Sequence, residues 1–244
     1  MEMTRTGRLL ILGIIFVIFG IMNPAIAKLT PLILSKFGDS LSDSGIIVGN
    51  VTVNAISSWT QFYKNAPVVL LVMVLMCSGM FTGEYQSGTL IQVVTKGLAR
   101  KKILFSKMIT LYGAWTVLYA AYFGVTYLYT AYYWGEERVE NLVFGAFAYW
   151  LFGILIMALM LFFSTVGDNS GHVLLGVGGA FVVMIFLGYA PKLKKFLPTR
   201  LMDGLQVSVG VLETGDFIPA MITAGMIIVI CGILSVISFN RRQL

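Results

Sequence analysis

The stretch from Thr82 to Lys107 has the pattern of charged and apolar residues that most strongly indicates a functional element. Glu84 follows an apolar run, and an apolar residue then recurs at every fourth position, at Leu90, Val94 and Leu98. Gln92, Lys96 and Arg100 fall on another face. This spacing predicts a short amphipathic helix. Such a helix either lies on anionic lipid through its basic end or docks a cytoplasmic partner, and the residues alone leave both open.

Two other polar groups resemble catalytic sites and are interpreted otherwise. Asp168, Ser170 and His172 lie within five residues, but no Gly-x-Ser-x-Gly elbow is present to expose a serine nucleophile. Glu136 and Glu137 form an acidic pair without the histidines that a metal-dependent site would need. We interpret the first group as a polar turn and the second as a solvated acidic loop.

The motifs of nucleotide and metal chemistry are missing from this sequence. There is no Gly-x-x-x-x-Gly-Lys-Ser/Thr to hold a nucleotide, and His172 is the one histidine. Cys77 and Cys231 both lie in long apolar runs, where buried, reduced thiols are expected. We therefore expect no catalytic residue, no metal site and no cofactor in this chain.

Tyrosines in the middle of the chain are the remaining polar groups that could meet a ligand. Tyr112, Tyr119 and Tyr122 lie deeper in an apolar run than the aromatic residues of 127–134, which are typical of a membrane-interface belt. The three deeper hydroxyls could line a path for an amphipathic substrate. They could equally bond to a neighbouring helix, and both interpretations stay open here.

Composition determines the class of protein that must position these residues. Of 244 residues, 58% are hydrophobic and 11% are charged, against about 25% charged in soluble domains, and the mean hydropathy is +0.88. A soluble globule, a disordered chain and a disulfide scaffold are therefore excluded. We predict an all-α polytopic membrane protein with a single transmembrane domain over 1–244. Its six predicted spans are residues 9–27, 59–81, 108–129, 142–166, 173–187 and 217–239.

The predicted spans carry almost no charge. With the second apolar run taken from Ala66, none of the six contains Asp, Glu, Lys or Arg. Ion-driven transporters usually keep a buried ionisable group in the membrane, so this absence argues against a secondary transporter. The run 9–27 ends in Ala-Ile-Ala, which resembles a signal-peptidase site, but we expect it to be retained as the first span.

The basic residues favour a cytoplasmic N-terminus and C-terminus. That orientation places nine of the 17 Lys and Arg inside and eight outside, so the count alone is nearly balanced. Five of the nine lie between Lys96 and Lys107, directly against a span, and the bias acts on such residues. The loop 82–107 is then cytoplasmic. The external stretch 190–216 has leucines at near-helical spacing and is predicted to lie as a short amphipathic element on the membrane surface.

Together, these residues resemble the first cytoplasmic loop of ABC transporter permeases of the type-2 export family, which includes antibiotic- and lantibiotic-resistance permeases. In that family, the loop has a Glu, a Gly-Thr pair, an amphipathic helix, Pro-x-Ser-Arg, and a Lys at the next span. The matching residues here are Glu84, Gly88, Thr89, Arg100 and Lys107. The family's Pro is absent, and Lys96-Gly97 stands near its place.

The resemblance implies a permease subunit of an ATP-driven exporter in the bacterial cell membrane. Two copies of a separate cytoplasmic ABC ATPase would bind ATP and Mg²⁺, and a second permease copy or a homologous permease would complete the dimer. The helix around Leu90 to Val94 would be the coupling helix. Glu84 would pair with the ATPase or with Arg100, and Arg100 and Lys107 would reach lipid phosphates. No nucleic acid is expected. The alternative is an ATP-independent channel or a structural membrane protein.

Overall fold

The computed structural model describes residues 7–43, 53–87, 99–135 and 139–241. All regular elements in these ranges are helical. The helices are α1 (Arg8–Asp43), α2 (Ala55–Cys77), α3 (Gly79–Gln86), α4 (Arg100–Trp134), α5 (Leu142–Val166), α6 (Ser170–Gly188), α7 (Pro191–Lys194), α8 (Gly204–Ser208) and α9 (Ile218–Arg241). Two 3₁₀ turns, Pro198–Met202 and Thr214–Phe217, flank α8.

Six of the helical segments are long and apolar enough to cross a membrane, as predicted. They lie in α1, in α2 continued by α3, and in α4, α5, α6 and α9. The helices extend well beyond several predicted spans: α4 covers 35 residues, and α1 covers 36. Polar residues near the membrane surface continue these helices because intrahelical hydrogen bonding does not stop where the apolar run stops.

Local sequence explains where several helices begin and end. Asn54 caps α2 by accepting from the Ser57 backbone amide, and Ser57 Oγ in turn accepts from the Asn54 backbone amide. Asn169 likewise caps α6 by accepting from the His172 amide. Gly135 ends α4 at a φ of +62°, a conformation that glycine adopts without strain.

The bundle has two ends, because α1, α2–α3, α4, α5, α6 and α9 alternate in direction. We call the end with residues 82–87 and 99–107 the loop end and the end with residues 189–217 the connector end.

The centre of the bundle is α5. Of its apolar 18-residue stretch, 72% is buried inside the protein. Aromatic residues from α2, α4 and α5 pack around it: Phe62 stacks on Tyr122 at 4.5 Å, and Tyr119 stacks on Trp115 at 5.2 Å. Gly153 of α5 lies so close to Trp115 that an added Cβ would be 2.1 Å from two indole carbons. Helices α6 and α9 lie at the periphery, since only 17% and 22% of their apolar stretches are buried.

The connector, residues 189–217, is divided between bundle and membrane surface. The prediction of a surface element describes only its first part, where Leu193 and Phe196 are exposed. Leu201, Val207 and Phe217 are instead fully buried against the helices. An added Cβ on Gly204 would lie 2.8 Å from the Gly145 carbonyl oxygen, so the connector backbone packs directly on α5. The helical leucine spacing did not distinguish lipid from protein as the surface that covers these side chains.

Candidate functional site

An ion pair joins the two helices that border the segment 88–98. Lys107 lies two turns into α4, and its Nζ is 2.5 Å from Glu84 Oε2 near the end of α3. The same ammonium donates to the Met80 carbonyl oxygen at 2.8 Å. The side chains of Lys107 and Glu84 are only 11% and 21% exposed. The residues before and after 88–98 are therefore held together at the loop end.

The burial of these charges explains why they must be paired. An ionised group taken out of water without a partner is strongly destabilising, and removal of one member of a buried pair typically costs about 3–5 kcal/mol. Lys107 meets this requirement with one carboxylate and one carbonyl oxygen. The expected pairing of Glu84 with Arg100 or an ATPase stays a prediction, and Lys107 is the partner that the sequence analysis missed. The approach of α3 to the second turn of α4 at the loop end brings the two together.

Arg100, at the start of α4, reaches the opposite end of the chain. Its Nη1 donates to the carbonyl oxygens of Phe239 and Asn240, each at 3.4 Å. These carbonyls are among the last of α9, where the helix dipole is negative and favours a cation. Arg100 therefore links the exit of the segment 88–98 to the last span.

The turn between α5 and α6 contacts the residues that precede Glu84. The hydroxyls of Thr82 and Ser170 lie 3.2 Å apart, and an added Cβ on Gly79 would be 3.1 Å from the same Ser170 oxygen. Ser170 thus contacts α3, and the backbone amide of His172 is used by the Asn169 cap. This geometry is that of a polar turn, as the sequence analysis interpreted it.

The other predicted coupling residues, Gly88, Thr89, Leu90 and Val94, lie outside the described residues, as do Glu136 and Glu137. Of the predicted set, Glu84, Arg100 and Lys107 are brought to one end of the bundle. Within the described ranges, no three His, Cys, Asp or Glu side chains are placed to hold a metal ion together.

The three tyrosines of the predicted substrate path occupy two different environments. Tyr119 is buried, and its hydroxyl donates to the Ala146 carbonyl oxygen at 2.9 Å. Tyr122 is fully buried and donates to the Phe62 carbonyl oxygen at 2.9 Å. Tyr112 instead lines an apolar groove of about 320 Å³ between α4, α5 and α9. In this conformation, two of the hydroxyls join helices, and the third tyrosine lines an open groove.

A buried polar cluster near the middle of α1 was not anticipated from the sequence. The Asn23 amide nitrogen donates to the Tyr122 hydroxyl at 3.0 Å and to Thr126 Oγ1 at 3.1 Å. Its oxygen accepts from the Asn65 amide at 2.8 Å. The cluster joins α1, α2 and α4 through neutral groups, and such interhelical bonds hold membrane helices together. An asparagine within the first apolar run was the one available signal.

Comparisons with known proteins agree with this architecture. A family model described as ABC-2 family transporter protein matches residues 1–244, the whole sequence. No curated protein and no solved structure gives a significant match. Six apolar helices, a separate loop-end cluster of charges and a full-length family match point to the same class of multi-pass membrane transport subunit. The chain belongs to the ABC-2 family of transporter proteins.

Proposed function

We propose that this chain is the permease subunit of an ABC exporter and that the segment 88–98 couples it to a separate cytoplasmic ATPase. The observation that carries the proposal is the Glu84–Lys107 ion pair, which fixes the two ends of that segment to each other. A segment anchored at both ends transmits a displacement to the attached helices, whereas a free loop absorbs it.

The contacts at the loop end supply routes from the segment to the spans. On the entry side, Thr82 contacts Ser170 at the start of α6. On the exit side, Arg100 contacts the carbonyl end of α9. A push on the segment would therefore move α3, α4, α6 and α9 as packed bodies. Rigid-body movement between two arrangements is a common way in which nucleotide binding changes a membrane path.

The proposal includes the orientation and the partners. Arg100, Lys101, Lys102 and Lys107 place four basic residues at the loop end within eight positions, which supports a cytoplasmic loop end and hence a cytoplasmic N-terminus and C-terminus. Two ATPase subunits would bind ATP and Mg²⁺. A second permease, identical or homologous, would complete the path in a bacterial plasma membrane.

For the substrate, we propose an amphipathic or hydrophobic molecule such as an antimicrobial peptide, a drug or a lipid. The support is the largely uncharged interior and the apolar groove beside Tyr112. Export of such molecules would connect the protein to antibiotic resistance. A transport assay with a panel of bacteriocins and lipids tests this class, and the absence of efflux or protection across the panel would contradict it.

The coupling role is tested with Glu84→Gln, which keeps the shape of the side chain and removes its charge. The matched control is Glu140→Gln, because Glu140 is exposed at the connector end. Tagged proteins are purified from their own cells in mild detergent, and co-purified ATPase is measured by mass spectrometry. We expect the wild type and the control to retain a P-loop ATPase. Glu84→Gln should lose the ATPase or its substrate-stimulated hydrolysis.

A charge exchange separates coupling from folding. The double variant Glu84→Lys with Lys107→Glu keeps opposite charges at the same place, so we expect it to fold better than either single exchange. Recovery of the fold without recovery of ATPase coupling would assign Glu84 itself to the ATPase contact. A wild-type preparation without any ATPase, repeated with nucleotide and cross-linker, would favour the channel or structural alternative instead.

A further inference from the structure

The first part of the connector, residues 189–200, carries positive charge and contains no acidic residue. Residues 189–200 read Tyr-Ala-Pro-Lys-Leu-Lys-Lys-Phe-Leu-Pro-Thr-Arg, with four basic residues and no Asp or Glu. Lys192, Lys194 and Lys195 are exposed. No ion pair joins any of these three lysines to a described carboxylate. The segment therefore presents a concentrated positive surface at the connector end.

The fourth basic residue, Arg200, behaves differently. Its side chain is 14% exposed, it pairs with Asp203 at 3.7 Å, and its guanidinium carbon lies 6.0 Å from the centre of the Phe217 ring. Arg200 thus belongs to the packed part of the connector. Lys194 is also attracted to Asp203. Lys192 and Lys195 remain as the cations that are least committed to the protein itself.

Apolar side chains accompany the lysines. Leu193 and Phe196 are 46% and 55% exposed, and Phe186 and Tyr189 just before them are 69% and 79% exposed. Exposed aromatic rings beside lysines are typical of a protein surface at the level of lipid headgroups. The apolar residues can enter the edge of the hydrocarbon while the ammonium groups stay among the headgroups.

The segment is also held firmly against the bundle. Thr223 of α9 donates its hydroxyl to the Phe196 carbonyl oxygen. Pro198 and Leu201, which follow at once, are buried. The lysines are therefore presented from an anchored base, so binding does not require a loop to become ordered.

We propose that residues 186–196 form a docking surface for the anionic headgroups of phospholipids in the leaflet at the connector end. Lys192 and Lys195 contact phosphate, and Leu193 and Phe196 lie against the upper acyl chains. The partner is identified by charge complementarity: Lys192 and Lys195, which no described carboxylate pairs, meet the negative surface of an anionic bilayer. This inference goes beyond the transport role and does not depend on it.

Photocross-linking in proteoliposomes tests the proposal. The full-length protein is reconstituted with a trace of phosphatidylglycerol that bears a photoreactive headgroup, in a phosphatidylcholine bilayer. Cross-linked peptides are then mapped by mass spectrometry. We expect labelling within 186–196 that unlabelled phosphatidylglycerol displaces and equal phosphatidylcholine does not. Because exposed charges are screened by salt, labelling should also fall as ionic strength rises.

Matched charge-removal variants make the test specific. Lys192→Gln with Lys195→Gln should lower labelling of 186–196 by about thirtyfold, since each lysine at an anionic surface contributes on the order of 1 kcal/mol, or about fivefold. Lys101→Gln with Lys102→Gln removes the same charge at the loop end and should leave labelling of 186–196 unchanged. Lys192→Arg with Lys195→Arg should restore it.

Three results would overturn the proposal. Labelling of 186–196 could compete equally with phosphatidylcholine, or it could be insensitive to loss of the two lysines. The segment could also cross-link to a second protein chain in place of lipid. The second of these results counts when the variant without the two lysines elutes as a single peak in size-exclusion chromatography and still labels as the wild type does. None of these results bears on ATPase coupling.

Discussion

Helices α5 and α6 are neighbours of nearly equal hydropathy, yet they occupy opposite positions in the molecule. The apolar stretches of α5 and α6 have mean hydropathies of 2.3 and 2.0, but 72% of the stretch in α5 is buried and only 17% of that in α6. Hydropathy therefore reports that a helix lies in the membrane and says little about whether protein or lipid surrounds it. Side-chain size and shape decide that, since lipid and leucine are equally apolar.

Glycines show the difference most directly. Gly145 and Gly153 of α5 are in contact with other parts of the protein at distances that leave no space for a methyl group. In α6, Gly176 packs against the Phe163 ring, but Gly178 and Gly179 have nothing within 4 Å of an added Cβ. From composition alone, any glycine in a membrane helix is a possible site of close helix approach. The structure separates those that pack from those that face outward.

The largest effect is expected for Gly153→Ala. The new methyl group would overlap Trp115, which is fully buried and holds the Trp150 carbonyl oxygen through its indole nitrogen at 3.0 Å. Overpacking of this kind costs about 3 kcal/mol. Thermal unfolding in detergent, followed by tryptophan fluorescence, should show a clearly lower midpoint. A midpoint within error of the wild type would mean that α5 is not the packed centre.

A smaller effect is expected for Tyr119→Phe. This change removes the bond from the Tyr119 hydroxyl to the Ala146 carbonyl oxygen, which ties α4 to α5. The loss should be about 1 kcal/mol, the range for one interhelical hydrogen bond in a membrane. Tyr112→Phe is the matched control, because Tyr112 lines a groove at the bundle surface. Equal effects of the two variants on the unfolding midpoint would remove the distinction between central and peripheral tyrosines.

The connector that packs on α5 should add a pH dependence. Burial raises the pKa of the Asp203 carboxyl above its ordinary value of 3.8, although Arg200 and Lys194 oppose the shift. The folded state therefore binds the proton of the Asp203 carboxyl more tightly than the unfolded state does. Stability from this group is greatest at low pH and declines as pH rises from about 4 through the raised pKa.

Asp203→Asn isolates that contribution. The unfolding midpoint of the wild type minus that of the variant, measured from pH 4 to 7, should fall with rising pH. A difference that rises with pH would show that the attraction of the nearby cations outweighs burial.

The smallest effect is expected for Gly179→Ala on the open face of α6. Nothing lies within 4 Å of the added methyl group, so the free energy of unfolding obtained from the midpoint should change by no more than about 0.5 kcal/mol. The comparison with Gly153→Ala, which is the same chemical change, is then at its sharpest. A large loss at Gly179 in the detergent-solubilised protein would show that another protein chain covers this face.

Much of the architecture could be predicted from the sequence because apolar runs report the membrane directly. The six spans were located by their apolar runs and absence of charge, and Glu84 and Lys107 were singled out by the resemblance of their loop to the first cytoplasmic loop of type-2 export permeases. Helix ends were not predictable: α1 continues to Asp43, far past the apolar run, because a helix needs no hydrophobicity once it has left the hydrocarbon.

Partners across the bundle were beyond reach of the sequence for a different reason. Glu84 and Lys107 are 23 positions apart, and their contact depends on how α3 and α4 are aligned. The same holds for the burial of Leu201, which depends on Gly145 and Gly204 approaching closely. Residue spacing within one helix is periodic and can be recognised in the sequence, whereas the alignment of two helices is set by many side chains at once.

The Asn23 cluster also constrains the order of events during biosynthesis. The amide of Asn23 enters the membrane with α1, but Tyr122 and Thr126 follow 99 and 103 residues later. At about 5–20 residues per second, the ribosome needs roughly 5–20 s to deliver them. Until then, the Asn23 amide nitrogen lacks both partners that it has in the folded bundle, although Asn65, the partner of the amide oxygen, follows after only 42 residues. Helix α1 therefore reaches its final place only after α4 has been synthesised.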